Sequence, residues 1–162
     1  MYISLKTLKV SHIQFGFDSG DIEILKNAGK RNTPEENLRA TRLAIENGFN
    51  VIASYILMWP GETKEQLLNT YRNARKIYSL SKKEPDNIIF KTGFLRVYPG
   101  SDHFEMVCKI NPAYRDMDNI SDYMITQSFI ESFYKNEEEF SDTLKYAKKI
   151  SKRINQFNEN KI

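Results

Sequence analysis

Three apolar runs in this chain each close on a glycine-bearing loop, and helix signals separate one run from the next. Ile13 to Phe17 closes on Asp18-Ser19-Gly20, Asn50 to Leu57 on Trp59-Pro60-Gly61-Glu62, and Asn87 to Val97 on Tyr98-Pro99-Gly100-Ser101. Strands that alternate with helices return to the same end of the sheet after each crossover, so they run parallel. The rhythm therefore predicts α/β architecture built from βαβ units.

The helices between the runs carry their own start and stop signals. Asp21 stands in a first turn, Ile22 and Leu25 share a face, and Ala28-Gly29 ends the segment. Thr33-Pro34-Glu35-Glu36 puts a hydroxyl at the N-cap, proline at N1 and a carboxylate at N3, and the segment runs through Leu38, Thr41, Leu43 and Ile45 to Asn47-Gly48. Thr63-Lys64-Glu65-Gln66 repeats that logic and leads a stripe of Leu67, Tyr71, Ala74 and Tyr78. Beyond Phe104 the pattern changes to two helical segments, near Ser121 to Tyr134 and Glu138 to Phe157. The expected division is a strand-containing unit at 1–104 and a helical extension at 105–162. No internal repeat is visible.

Composition excludes several classes of function. The 24 basic and 21 acidic residues leave a formal charge of +3, which gives no electrostatic footprint for nucleic acid or an anionic membrane. The basic tail from Lys145 to Arg153 alternates with an apolar stripe and reads as a solvated helix face. The apolar run from Val51 to Pro60 is about half of what a membrane-spanning helix needs. The N-terminus lacks the apolar stretch of a signal peptide, and a cytoplasmic location is expected. Cys108 is the only cysteine, so no disulfide and no site of several thiolates can form within these residues. His12 and His103 lie far apart with no third ligand nearby, and no metal site is expected.

In parallel α/β folds, functional residues gather at the carboxyl ends of the strands. Each of the three loops also has a plain structural account when taken alone. Pro-Gly suits the central positions of a type II turn, and Ser, Thr or Asp beside it suits a helix N-cap.

Taken together, the loops resemble the radical S-adenosylmethionine (SAM) enzymes, in particular the branch with cobalamin-binding members and methylthiotransferases. That family carries G-(V/I)-E-S-G on strand four, V-L-K…K-G-x-T behind it, A-G-(I/V), a strand ending G-L-P-G-E-T, and a later P-x-P-G-(T/S). The corresponding stretches are Gly16-Phe17-Asp18-Ser19-Gly20, Ile24-Leu25-Lys26 with Lys30 and Thr33, Asn47-Gly48-Phe49, Met58-Trp59-Pro60-Gly61-Glu62-Thr63 and Val97-Tyr98-Pro99-Gly100-Ser101. The resemblance covers about Ser11 to Phe104. It implies a partial (β/α) barrel whose three parallel strands are the fourth to sixth of the family's barrel, plus C-terminal helices.

By that resemblance, Asp18 or Ser19 binds the ribose hydroxyls of SAM, and Ile56 to Met58 with Val97 and Tyr98 wall the adenine. Lys30 either reaches the SAM carboxylate or is a solvated lysine. Asp18 replaces the commoner Glu. Met58 takes the place of a family glycine, where its side chain either fills part of the pocket or turns outward. The family's [4Fe–4S] cluster hangs on three closely spaced cysteines after strand one, and neither these nor the glycine-rich loop after strand two occurs here. The resemblance admits cobalamin in longer relatives.

The chain is accordingly expected to be the C-terminal half of a radical SAM-like enzyme. It would supply SAM and substrate contacts, and its partner would be an N-terminal half-barrel, from the same gene or another chain, that holds the cluster. In the family a reduced cluster cleaves SAM to a radical that abstracts hydrogen from substrate. One alternative is a non-catalytic interaction module. Another is an unrelated α/β enzyme using Asp18 and Glu62 as an acid/base pair. The strand at Ile13 to Phe17 would present an unpaired edge and invite self-association.

Overall fold

The structure, a computed structural model, describes residues 2–83, 87–115 and 122–159. It begins with α1 (Tyr2–Thr7), followed by β1 (His12–Asp18), α2 (Ile22–Asn27), α3 (Pro34–Glu46) and β2 (Asn50–Leu57). Then come α4 (Lys64–Tyr78), β3 (Ile88–Phe94), α5 (Asp102–Ile110), α6 (Asp122–Glu131) and α7 (Glu137–Asn155). The strands form one sheet in the order β1-β2-β3, and both pairings are parallel. The expected α/β fold, a three-stranded open segment of barrel-like sheet with C-terminal helices, is what the chain adopts.

The helix starts form as their sequences require. Thr33 and Thr63 each accept from the amide three residues on, while Glu36 and Gln66 accept from the two cap amides, so both capping boxes are closed. Asp21 caps α2 by accepting from the amides of Glu23 and Ile24.

Two helices escaped the sequence reading. Six-residue α1 buries none of its residues, has no N-cap signal, and touches the fold through a ring contact of Tyr2 with Phe49 at 5.8 Å. The nine-residue α5 starts at N-cap Ser101 and buries Phe104, Val107 and Cys108, a regular helical stripe. It crosses the expected 104/105 division. The third strand is also shorter than the expected Asn87 to Val97. Its Leu95 amide still donates to the Leu57 carbonyl at 2.9 Å, but β2 ends there and offers nothing further to pair with. Of the expected helix at 121–134, Ser121 lies outside the described residues.

The two faces of the sheet differ. On β2, Val51, Ala53, Tyr55 and Leu57 are sealed, while the residues between them are half-buried. The sealed face packs on helices. The Tyr55 hydroxyl donates to Asn73 of α4 at 2.8 Å, and burial pushes this phenol upward from its ordinary pKa. Thr92 of β3 meets Ser151 of α7 at 2.6 Å. Each fully buried aliphatic or aromatic side chain on this face contributes roughly 1.5–3 kcal/mol, and one continuous core joins the strands to α7. Among the described residues, no helix is long and apolar enough to cross a membrane.

The far edge of β3 is closed at one point by a side chain. The amide of Asn158 accepts from the Phe90 N–H at 2.8 Å and donates to the Phe90 carbonyl at 2.9 Å, the pair of bonds a neighbouring strand would make.

Candidate functional site at the carboxyl ends of the strands

At the end of β1, each residue of the Gly16 to Asp21 stretch bar Phe17 carries a separate task. The register slips between Gly16 and Asp18, and the Ser19 amide donates to the Phe17 carbonyl at 2.7 Å. Asp18, at the centre of that three-residue turn, has a φ of +59°. This is the rarer, strained hand of γ-turn, costing on the order of 1–3 kcal/mol for a residue other than glycine. Its carboxylate meets the Lys30 ammonium at 2.6 Å. The pair stands over Gly16, where a Cβ would lie 3.5 Å from Asp18 Oδ1 and 3.9 Å from Lys30 Nζ. Gly16 lies opposite Ser54 on the half-open face, so the ion pair belongs to that face.

Ser19 is turned the other way. It is fully buried, its hydroxyl sits 3.0 Å from Thr70 Oγ1 on α4, and it accepts from the Asp21 amide. Asp18 is thus the one of the two whose polar group reaches the open face. Gly20 permits the closest helix approach of all, since a Cβ there would fall 2.7 Å from Thr70 Cα and 2.8 Å from the Asn69 carbonyl.

The loop after β2 is organised by a residue whose role the sequence did not show. Met58 adopts φ +65° at the place where the resembling family has glycine. Glu62, with no exposed surface, accepts through Oε2 from the Met58 amide at 2.7 Å and the Trp59 amide at 3.2 Å. Those bonds hold a left-handed methionine in place. The Glu62 amide donates back to the Trp59 carbonyl at 2.9 Å and Gly61 has φ +70°, which makes Trp59 to Glu62 a type II turn around Pro-Gly. Burial raises the Glu62 carboxyl to about 8 despite the two amides that oppose the shift, and nearby Asp21 adds to the rise. Its Oε1 is buried without a partner. The signal that could have found it is Met58 itself, because a bulky residue at a glycine position needs something to hold it. Asp18 is paired with Lys30 and Glu62 with this loop, so the two carboxylates are committed to different partners.

The third loop repeats the second. The Ser101 amide donates to the Tyr98 carbonyl at 3.1 Å, Gly100 has φ +83°, and the Ser101 hydroxyl then caps α5.

Between these strand ends and the last two helices lies a cavity of about 850 Å3, with Ile56, Met58, Gly93 and Tyr98 in its wall and Arg96 and Lys148 among its charged groups. Met58 borders the cavity while being buried in the core, and Val97 is buried in the same core without bordering the cavity. The structure brings Ile56, Met58 and Tyr98 to one cavity and Asp18 and Lys30 to one ion pair.

By their chemistry, the apolar cavity wall suits a planar base and the carboxylate over a glycine suits hydroxyls, and the Asp18–Lys30 pair is not among the residues that line the cavity. These residues do not fit an iron–sulfur cluster. Cys108 is buried on α5, and among the described residues no three His, Cys, Asp or Glu side chains gather into a metal site. His103 instead packs by its ring against Trp59 and Phe129. On the basic tail, Arg153 lies 4.2 Å over the Tyr71 ring.

Comparison with known proteins places residues 1–74 in a match to the radical SAM superfamily model. An uncharacterized methyltransferase of Pyrococcus horikoshii is 32% identical over 65 residues, 40% of this chain and 14% of that protein. A protein of Methanocaldococcus jannaschii named as a methylthiotransferase is 34% identical over 67 residues, 41% of this chain and 15% of that protein. The aligned stretch is thus a small part of either relative.

Proposed function

We propose, from the match of residues 1–74 to the radical SAM superfamily model, that this chain supplies the nucleoside-binding, C-terminal half of a radical SAM-like enzyme. The observation that carries the proposal is the Asp18–Lys30 pair, held by a strained turn above a glycine at a strand end. Backbone strain persists where surrounding structure enforces it, and such places cluster at ligand sites. In the proposed role Asp18 accepts from ribose hydroxyls and Lys30 turns to the carboxylate of the methionine moiety. Ile56, Met58 and Tyr98 present the apolar wall for adenine, with Val97 packed in the core nearby.

SAM bound beside a reduced cluster supplies a carbon-centred radical. The residues of this chain bind and orient the nucleoside and keep water from it. No step is assigned to a cluster here, because the single buried thiol does not fit one. The cluster ligands are assigned to an N-terminal half-barrel on another segment or another chain. The relatives are named for methyl and methylthio transfer, and we take that group-transfer class as the one the complete assembly serves. Cobalamin forms no part of the proposal.

Calorimetry tests this reading. The chain is expected to bind SAM or adenosine weakly, and Asp18→Ala to weaken binding by about tenfold, the effect of losing hydrogen bonds to a charged group. Asp18→Asn separates charge from shape, since asparagine tolerates the left-handed turn. Absence of heat with either ligand would sink the nucleoside-binding role and favour an interaction module.

One observation favours that second reading as an additional property. The Asn50 amide donates to the Ser11 carbonyl at 2.9 Å, so the odd-numbered residues of β1 pair with β2 and Gln14 turns its amide outward. We infer that this edge associates with a complementary strand or a second copy. Gln14→Pro deletes an outward donor while leaving the β1–β2 ladder intact, and sedimentation is expected to show less self-association. A monomer at high concentration for both proteins would remove the inference.

A further inference from the structure

Leu95 donates to the Leu57 carbonyl at 2.9 Å, which fixes the odd-numbered residues of β3 as those facing β2. Phe90, Thr92 and Phe94 therefore turn their amides and carbonyls away from the sheet. Asn158 takes up both groups at Phe90. Among the described residues nothing takes up the outward backbone groups of Thr92 and Phe94.

The cavity of about 850 Å3 lies along this stretch. Its lining includes residues 92–96, the last three residues of β3 and the two that follow, together with Ile56 of the central strand. Facing them are Phe140 and Leu144 of α7. Arg96 and Lys148 line the same space, and among the described residues neither has an ion-pair partner and no acidic residue lines it.

We propose that this edge groove docks an extended acidic peptide, which adds a strand beside β3 at Thr92 and Phe94 and sets its carboxylates against Arg96 and Lys148. Backbone pairing selects a polypeptide, because unpaired alternate amides and carbonyls are matched in spacing by another strand. Residues 92–96 span about 13 Å, room for four or five residues of the partner. The two cations select acidic side chains, and the apolar helix wall takes the residues between them. Gly93 leaves the groove continuous with Ile56 and Met58, so a docked strand would pass beside the wall assigned to adenine. The docking itself does not depend on that assignment.

The test uses the 162-residue chain, no nucleotide, and a fluorescein-labelled peptide of alternating glutamate and valine, followed by anisotropy. Two further peptides carry N-methyl groups on alternate residues, one in each register. The unmodified peptide is expected to bind, one methylated register to abolish binding, and the other to preserve it. Phe94→Pro removes an outward donor without touching the bonds to β2 and should weaken binding by about tenfold, the worth of roughly one backbone hydrogen bond. Arg96→Gln with Lys148→Gln should weaken binding and flatten its salt dependence. Should Phe94→Pro disturb folding, the methylated peptides on the unaltered protein still decide the matter. No binding of the unmodified peptide, or equal loss with both methylated registers, overturns strand addition. So does a Phe94→Pro protein that folds normally and binds undiminished.

Discussion

Gly20→Ala is expected to be among the most damaging single substitutions of a small residue in this chain, lowering stability by about 3 kcal/mol. The added Cβ would fall 2.6 Å from Asn73 Cβ, 2.7 Å from Thr70 Cα and 2.8 Å from the Asn69 carbonyl. Two of these contacts are helix backbone, so α4 must shift as a body. That shift also strains the bonds from the Gly20 amide and the Ser19 hydroxyl to Thr70. Small domains are stable by only about 5–15 kcal/mol, and a loss of this size lowers the melting temperature by roughly 10 °C. Gly16→Ala is the control, since its Cβ would meet Asp18 Oδ1 at an ordinary 3.5 Å. Thermal unfolding followed by circular dichroism compares them. Equal melting temperatures for the two variants would refute the close approach at Gly20.

The second large effect concerns pH. The Glu62 carboxyl is raised from 4.5 to about 8 by burial, so across that interval the folded chain keeps a proton that the unfolded chain has released. Its contribution is fully present below about pH 4.5 and falls by about 1.4 kcal/mol per pH unit as pH rises towards 8. Glu62→Gln imitates the protonated form: one oxygen still accepts from the Met58 and Trp59 amides, and no charge can develop. The variant is expected to lose this slope and to be more stable than the parent at pH 8. Urea midpoints at pH 5, 6, 7 and 8 test it. Parallel profiles for the two proteins would show that Glu62 does not keep its proton in the fold.

What could be read in the sequence was local. The caps at Thr33 and Thr63 close within three residues, so their side chains carry the whole instruction. The alternation of strands with helices carried the parallel sheet in the same way, because crossover length leaves few other topologies. The helix at Asp102 had its cap in Ser101 and its stripe in Phe104, Val107 and Cys108, yet it fell where the resemblance to known motifs stopped. The helix at Tyr2 is too short for periodicity to show.

The site divides along the same line. Asp18, Ile56, Met58 and Tyr98 are named by the motif resemblance, which attaches to strand ends whose turns are locally marked. That Ser19 points to Thr70, that Glu62 serves the Met58 backbone, and that Thr92 meets Ser151 depend on where helices land on the sheet. Side-chain pairs 51 or 59 residues apart leave no pattern in a window of a dozen residues.

The bond between Phe90 and Asn158 also sets a clock. The two residues are 68 positions apart, which at typical rates of synthesis separates their emergence by roughly 3–14 s. Helices form in about a microsecond and small sheets within milliseconds to seconds. A nascent chain therefore has time to assemble its three strands while the side chain that covers Phe90 is still unmade. During those seconds the whole outer rim of the third strand is bare, and a chaperone or another nascent chain meets it before Asn158, just beyond α7, arrives as a latch.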